Sequence, residues 1–315
     1  GGMVQSNSIA DIFQNSFGIN PVITGVFIVL AVGVVLLGGV SRLGSTADAL
    51  VPTMIVLYCG YGLVILVLNY TAIPALFSLI FESAFSGHAA VGGFVGSTMA
   101  SAMRMGFARG IFSNESGLGS ASIVAAAAKT KHPTEQALIS MTQTFIDTIV
   151  VCTMTGLVLL LSGLWSNTGG MAGANLTGQA FSHGLMGLTV MGQDVGKLVV
   201  AVALFFFVYT TIIGWGYYGL QCAEYIFGPR ITLPYKLFFL LCNFMGAYLL
   251  AASDSTPAAV MFAWSASEIG TALLIFPNAV ALFWLSPKVK ALTADYFAVK
   301  HGKQKKYSLK PFANE

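Results

Sequence analysis

Long apolar runs, separated by short polar segments, dominate the chain. A run of roughly 17 or more apolar residues is long enough to cross a bilayer as a helix. Seven runs have this length: Pro21–Val40, Ala49–Tyr70, Gly92–Ala128, Thr134–Leu161, Gly196–Tyr225, Pro234–Ala252 and Thr256–Leu285. A shorter run, Ile73–Phe85, includes Pro74 and Glu82 and is typical of an interfacial helix. The pattern predicts an all-α polytopic membrane protein.

The remaining segments complete the predicted organisation. Gly1–Ile12 has the pattern of the end of a helix, and we expect the chain to be truncated at its amino terminus. Ser162–Gln193 is rich in Gly, Asn, Ser and Thr and is predicted to be a loop. After Ser286 the chain is polar and basic. We therefore predict a transmembrane domain over residues 1–285 and a cytoplasmic basic tail over residues 286–315.

The amino-acid composition is that of a membrane protein and not of a soluble domain. Hydrophobic residues make up 56% of the chain and charged residues 9%, whereas soluble domains have about 25% charged residues. The net charge of +3 comes from the tail and does not indicate nucleic acid as a partner. The four cysteines lie inside apolar runs without metal-site spacing, and the four histidines fall in predicted loops, where solvated side chains are expected. No catalytic motif is visible, so an enzyme is not predicted.

The positions of Lys and Arg predict the orientation in the membrane. If the seven spans alternate in direction, 12 of the 15 basic residues fall on one side. Basic loops normally face the cytoplasm, so the carboxyl terminus is predicted to be cytoplasmic. If Pro277 divided the last span into two crossings, the tail would face outward, which its basic residues disfavour.

A polar break interrupts the third span at Ser113–Ala121. Gly117 and Gly119 lower helix propensity there, and Glu115 places a carboxylate in an apolar environment. Unwound backbone inside a membrane is tolerated where it is buried in protein or lines a cavity. Such breaks form the binding sites of secondary transporters, and Asn114 adds a side chain that both donates and accepts.

A purely structural explanation of the break also fits. Glu115 could be buried in an ion pair with Arg109 or Arg104 at a kink without a ligand. Elsewhere, Asp147 lies on a polar helical face with Ser140, Thr144, Thr148 and Thr155. It is either a cation or proton site or a hydrogen-bonding contact between helices. Glu268 lies within the last span, and the sequence indicates no partner for it.

Two adjacent hydroxyls, Thr210 and Thr211, lie near the middle of the fifth span. With the carbonyl of Phe207 they could supply oxygen ligands for Na⁺. Spacing alone favours the simpler explanation that each threonine bonds to its own preceding carbonyl, as is common in membrane helices.

Several segments resemble the signature of the alanine/glycine:cation symporter family. They are Phe107–Ala121, Lys129–Pro133, Phe145–Thr155, Gly214–Trp215 with Tyr217–Gly219, and Met3–Ser8. The resemblance covers nearly the whole chain. Ser116, Ser122 and Gly216 depart from it by small-for-small changes that bear on substrate preference more than on mechanism.

The resemblance implies a leucine-transporter-type inverted-repeat fold. The chain would supply helices four to ten and the end of helix three, the polar break would lie in helix six, and helices one and two would be missing. The resemblance places Thr210, Thr211 and the Phe207 carbonyl at a sodium site, which reverses the choice made from spacing alone, and Asp147 near a second cation site. It places Gln5 at the substrate site. With the residues of the polar break and the bulky residue before it, the predicted substrate contacts are Gln5, Phe112, Asn114, Glu115, Gly117 and Gly119.

We therefore predict sodium-coupled symport of alanine, glycine or a similar small neutral amino acid by alternating access. The coupling ion is Na⁺, the protein is a multi-pass cell-membrane protein and a monomer, and bulky residues such as Phe112 and Trp215 would limit substrate size. The alternatives are a proton-coupled amino-acid transporter of the same fold, with Glu115 and Asp147 as proton carriers, and a non-functional fragment. A channel or membrane enzyme lacks support from any motif.

Overall fold

A computed structural model describes residues 2–85, 95–166, 173–185, 187–190, 193–252, 256–304 and 306–308. The described residues are almost entirely helical. The α-helices are α1 (Gly2–Phe17), α2 (Pro21–Leu37), α3 (Gly39–Leu68), α4 (Ile73–Phe85), α5 (Val95–Asn114), α6 (Ser120–Ala125), α7 (Pro133–Phe145), α8 (Thr153–Ser162), α9 (Gly173–Gly184), α10 (Val195–Phe227), α11 (Thr232–Ala252) and α12 (Thr256–Lys300). A π-helical segment, Ile146–Cys152, joins α7 to α8. Two-residue strands, β1 (Thr189–Val190) and β2 (Gln193–Asp194), form a small antiparallel ladder.

Five described helical segments are long and apolar enough to cross a membrane. They are Arg42–Leu68, Pro133–Ser162, Val195–Phe227, Pro229–Ala252 and Trp264–Lys300. The helix of the first predicted span, α2, has 17 residues and is shorter than these. The prediction of a helical, polytopic membrane protein agrees with this architecture, and α4 has the bounds of the predicted interfacial helix. The leucine-transporter-type arrangement stays a prediction.

Two helix boundaries differ from the sequence pattern. Gly38 alone separates α2 from α3, so the polar residues around Arg42 are helical and do not form a loop. Helix α12 continues through Pro277 and Pro287 to Lys300, so neither proline ends it. Proline is tolerated inside apolar helices where neighbouring groups satisfy the carbonyl that it leaves free. The first part of the predicted tail is therefore an extension of the last helix.

The prediction that Ser162–Gln193 is a loop was wrong, because α9 lies within it. Phe181 is fully buried and stacks on Tyr58 and Tyr61, with ring centroids 5.1 and 5.9 Å away. Helix α9 packs against α8 and α10, so tertiary burial of one aromatic ring outweighs a composition that is poor in helix formers. Residues 167–172, 186 and 191–192 of the predicted loop lie outside the described residues.

The chain forms two compact units, each described here by itself. Unit 1 comprises residues 1–103 and 151–267, and its core includes Ile9, Ile28, Ile65, Phe181 and Ile212. In this unit α1 packs on α11, where the Ser6 hydroxyl donates to Asn243 and the Asn7 amide donates to the Gly246 carbonyl. Gly246 lies against the backbone of Met3, so a Cβ there would clash. Small residues allow this close approach, as in other membrane helix pairs.

Unit 2 comprises residues 104–150 and 268–315, and a buried histidine joins two of its segments. His132 precedes α7 and is fully buried, although its loop position predicted a solvated side chain. Its Nδ1 accepts from the Thr134 amide, and its Nε2 lies 3.5 Å from Asp295. The ring also contacts Tyr296 and Tyr307, with centroids 5.4 and 4.7 Å away. These contacts hold the start of α7 against the end of α12.

We expect Phe181→Ala to lower the free energy of unfolding by about 3–5 kcal/mol, because it removes a fully buried ring and leaves a cavity. Phe238→Ala is the matched control in the same unit, since that side chain is 64% exposed, and we expect a change within about 0.5 kcal/mol. Thermal unfolding in detergent measures both. Equal losses for the two variants would show that α9 does not carry core packing.

Candidate ligand site at the helix break

The helix breaks where the sequence predicts. Helix α5 ends at Asn114 and α6 begins at Ser120, with five non-helical residues between them. Gly117 and Gly119 have φ angles of 83° and 80°, which glycine adopts without steric cost. Glu115 has a φ of 55°, the one positive value for a non-glycine residue in the described chain. Strained backbone of this kind is concentrated at functional sites.

Side chains close to the break satisfy its backbone groups. The Asn114 Oδ1 accepts from the Ser116 amide at 3.0 Å, and the Ser122 hydroxyl donates to the Gly119 carbonyl at 2.6 Å. From α12, the Asn278 amide donates to the Gly117 carbonyl at 2.9 Å. The carbonyls of Gly117 and Gly119, two of the predicted substrate-site residues, are therefore each engaged by a protein donor.

The carboxylate of Glu115 turns back on the break itself. It accepts from the hydroxyl of Ser120, the first residue of α6, at 2.5 Å. Ser120 is buried, whereas Glu115 is partly buried. This hydrogen bond gives the Glu115 carboxylate a protein partner within the break.

The π-helical segment joins the break to the α7–α8 span. The Ser113 hydroxyl donates to the Asp147 carboxylate at 2.9 Å, and the Asn114 amide donates to the Thr148 hydroxyl at 3.0 Å. Two adjacent residues of the π-helical segment therefore bond to two adjacent residues at the end of α5. Asp147 thus contacts the break, which the sequence could not show.

An ion pair links α5 to α12. Arg109 donates to Glu268 at 2.7 Å, and the two side chains are partly exposed. This pair supplies the partner that the sequence could not assign to Glu268. Arg104, the other cation proposed for Glu115, is exposed on α5.

A cavity of about 410 Å³ adjoins the break within unit 2. Pockets that hold small molecules typically have about 300–1,000 Å³. Its lining combines the break with polar and apolar positions of two further helices: Asn114, Glu115, Ser116, Gly117, Gly119, Ala121 and Ser122; Ser140, Gln143 and Thr144 of α7; and Asn278, Ala281, Leu282 and Leu285 of α12. Sequence analysis identified the break and the polar face with Ser140 and Thr144, but it missed Gln143 and Asn278, because no pattern places α12 beside the break.

Phe112 precedes the break and is partly buried.

The other predicted site residues lie in unit 1. Gln5 of α1 has a buried Oε1 without a hydrogen-bond partner among the described residues. The Thr210 hydroxyl donates to the carbonyls of Phe206 and Phe207 at 2.8 and 3.1 Å, which is the local bonding that spacing favoured. Thr211 is partly buried on the same helix. The described residues contain no cluster of three or more His, Cys, Asp or Glu suited to a metal ion. The sodium site, for which hydroxyl and carbonyl oxygens are the predicted ligands, stays a prediction.

Comparison with known proteins identifies a family. A model described as the sodium:alanine symporter family matches residues 1–310. The chain is 44% identical over 297 residues to an uncharacterized transporter of Haemophilus influenzae, covering 94% of this chain and 62% of that protein. It is 41% identical over 307 residues to the sodium/alanine symporter AgcS of Methanococcus maripaludis, covering 97% and 63%.

The name of a third relative includes protons as well as sodium. The chain is 32% identical over 316 residues to the sodium/proton-dependent alanine carrier protein of Bacillus sp. PS3, covering 97% of this chain and 68% of that protein. The chain thus spans somewhat less than two thirds of the length of the first two relatives, at 62% and 63%.

We expect Ser113→Ala and Asp147→Ala to be energetically coupled, because one removes the donor and the other the charged acceptor of the same hydrogen bond. In a double-mutant cycle on thermal unfolding, the coupling free energy should be about 1 kcal/mol. Ser113→Ala combined with Thr293→Ala is the control, since Thr293 bonds to its own Val289 carbonyl. Additive effects for the Ser113 and Asp147 pair would contradict the contact.

Proposed function

Because the chain belongs to the sodium:alanine symporter family, we propose that it forms part of a sodium-coupled symporter for alanine, glycine or a similar small neutral amino acid. The observation that supports this most directly is the helix break, with two left-handed glycines beside a cavity of about 410 Å³. The family is one of symporters and not of enzymes, in agreement with the sequence analysis.

The substrate is a zwitterion, so its site needs partners for an ammonium and a carboxylate. Glu115 and the amide oxygen of Asn114 are acceptors that suit an ammonium, and backbone amide groups of the Gly117–Gly119 segment suit a carboxylate. Both acceptors have internal hydrogen bonds that a bound ligand would share or replace. We propose Gln5 and Phe112 as further contacts, with Phe112 limiting side-chain size.

The coupling ion needs oxygen ligands. Thr210, Thr211 and the Phe207 carbonyl supply them on α10, and Asp147 supplies a carboxylate at a second site. On this proposal the Thr210 hydroxyl, which now donates to two carbonyls, turns its oxygen toward Na⁺ when the ion binds. Na⁺ completes the site, and rocking of two inverted repeats exposes it alternately to the two sides. The carrier is a monomer of the leucine-transporter-type fold in the cell membrane, with a cytoplasmic carboxyl terminus.

The test is uptake of labelled alanine by the complete gene product in liposomes, with and without an inward Na⁺ gradient. We expect uptake to require the gradient. Thr211→Ala should raise the half-saturating Na⁺ concentration about tenfold, equivalent to about 1.4 kcal/mol, because it removes one ion ligand. Glu115→Gln should raise the KM for alanine, because it removes the charge that faces the ammonium.

Thr293→Ala serves as the control, since it removes an exposed hydroxyl on α12 far along the chain from these residues. It should leave both parameters unchanged. Uptake that is indifferent to Na⁺ and to Thr211→Ala would overturn the sodium assignment.

A second candidate function is proton-coupled transport, and the observation that favours it is the sodium/proton-dependent relative. Glu115 and Asp147 would then carry the proton. Uptake without Na⁺, driven by an inward proton gradient, abolished by an ionophore and lost in Asp147→Asn, would establish this alternative. The sodium proposal expects no uptake under those conditions.

A further inference from the structure

Asn278 of α12 makes two contacts with the break that no sequence motif identifies. Its side-chain amide donates to the Gly117 carbonyl at 2.9 Å. Its Oδ1 occupies the space beside Gly119, where an added Cβ would lie only 2.7 Å from that oxygen. One side chain therefore contacts both left-handed glycines of the break.

The second contact predicts that position 119 requires glycine more strictly than position 117. Both residues have positive φ angles, so a Cβ is strained at either. At Gly117, however, a Cβ would meet nothing within 4 Å, whereas at Gly119 it would collide with Asn278. The shape of the break thus depends on a specific pairing between Gly119 and Asn278, in addition to backbone freedom.

We propose that Asn278 is a positioning residue of the ligand site, which holds the Gly117–Gly119 segment in the conformation that binds the amino acid. This inference rests on the proposed function for its ligand, but its structural part concerns unit 2 alone. Asn278, Gly117 and Gly119 all line the same cavity. Without the amide donor, the Gly117 carbonyl loses its partner and the segment samples other conformations, so ligand affinity falls while the transport cycle is otherwise intact.

Asn278→Ala and Asn278→Asp test the proposal in the complete gene product. Asn278→Asp keeps the size and the Oδ1 of the side chain but replaces the donor to Gly117 by a second oxygen. We expect both variants to raise the KM for alanine about tenfold, equivalent to about 1.4 kcal/mol, with little change in the maximal rate per folded transporter. Thr293→Ala, on the same helix, is the control and should leave KM unchanged.

A double-mutant cycle tests the second contact. Gly119→Ala should raise the KM for alanine strongly in the wild-type background. It should raise the KM much less in the Asn278→Ala background, because the oxygen that a Cβ would collide with is absent. Gly117→Ala places a Cβ at a positive φ angle but in open space, so the Asn278→Ala background should not reduce its effect. Independent effects of Gly119→Ala and Asn278→Ala would overturn the proposed pairing.

Amide hydrogen exchange at residues 117–120, measured without substrate, separates failure of this inference from failure of the proposed function. If the wild-type protein neither binds nor transports alanine, the proposed substrate is wrong, and faster exchange in Asn278→Asp than in the wild type still supports the positioning role. If alanine is transported but KM and exchange are unchanged in both Asn278 variants, the positioning role is wrong. Faster exchange with an unchanged KM would reduce Asn278 to a structural contact and also overturn the proposal.

Discussion

The candidate site depends on how the chain satisfies the polar backbone where its helix breaks. In an apolar environment each unsatisfied amide or carbonyl group costs several kcal/mol, so a break persists only with local partners. Here Asn114, Ser122 and Asn278 supply them within hydrogen-bond distance. Specific side-chain hydrogen bonds therefore stabilise the conformation of the break, and the flexibility of glycine alone does not account for it.

Unit 2 surrounds the break with contacts that are polar and partly exposed. Asp147 and Thr148 hold its amino-terminal side, and Asn278 holds the glycine side. The Arg109–Glu268 pair joins α5, which ends at the break, to α12, which carries Asn278. Hydrogen bonds of this kind contribute only about 0.5–1.5 kcal/mol each when water can replace them. Hydrogen bonds of this strength can hold the site in place and still break in the rearrangement that the proposed alternating access requires.

The sequence predicted features that depend on local composition. It located the break to within two residues at each end, the bounds of α4 and most apolar helices, because helix propensity, glycine content and hydropathy are properties of neighbouring residues. It failed at α9, where one buried aromatic ring stabilises a helix of polar composition. It also failed at His132, whose burial comes from residues more than 160 positions away.

By itself, the sequence determined a helical membrane protein with a helix broken within Ser113–Ala121, and the resemblance of its motifs pointed to the family. Tertiary structure decided which partners complete that break: the π segment with Asp147, and Asn278 from a helix about 160 residues later. The physical reason is the separation along the chain over which each effect acts. Backbone strain and hydropathy act within a few residues, whereas hydrogen-bond partners and cavity walls come from whichever helices pack together. No periodic pattern in the sequence indicates which helices pack together.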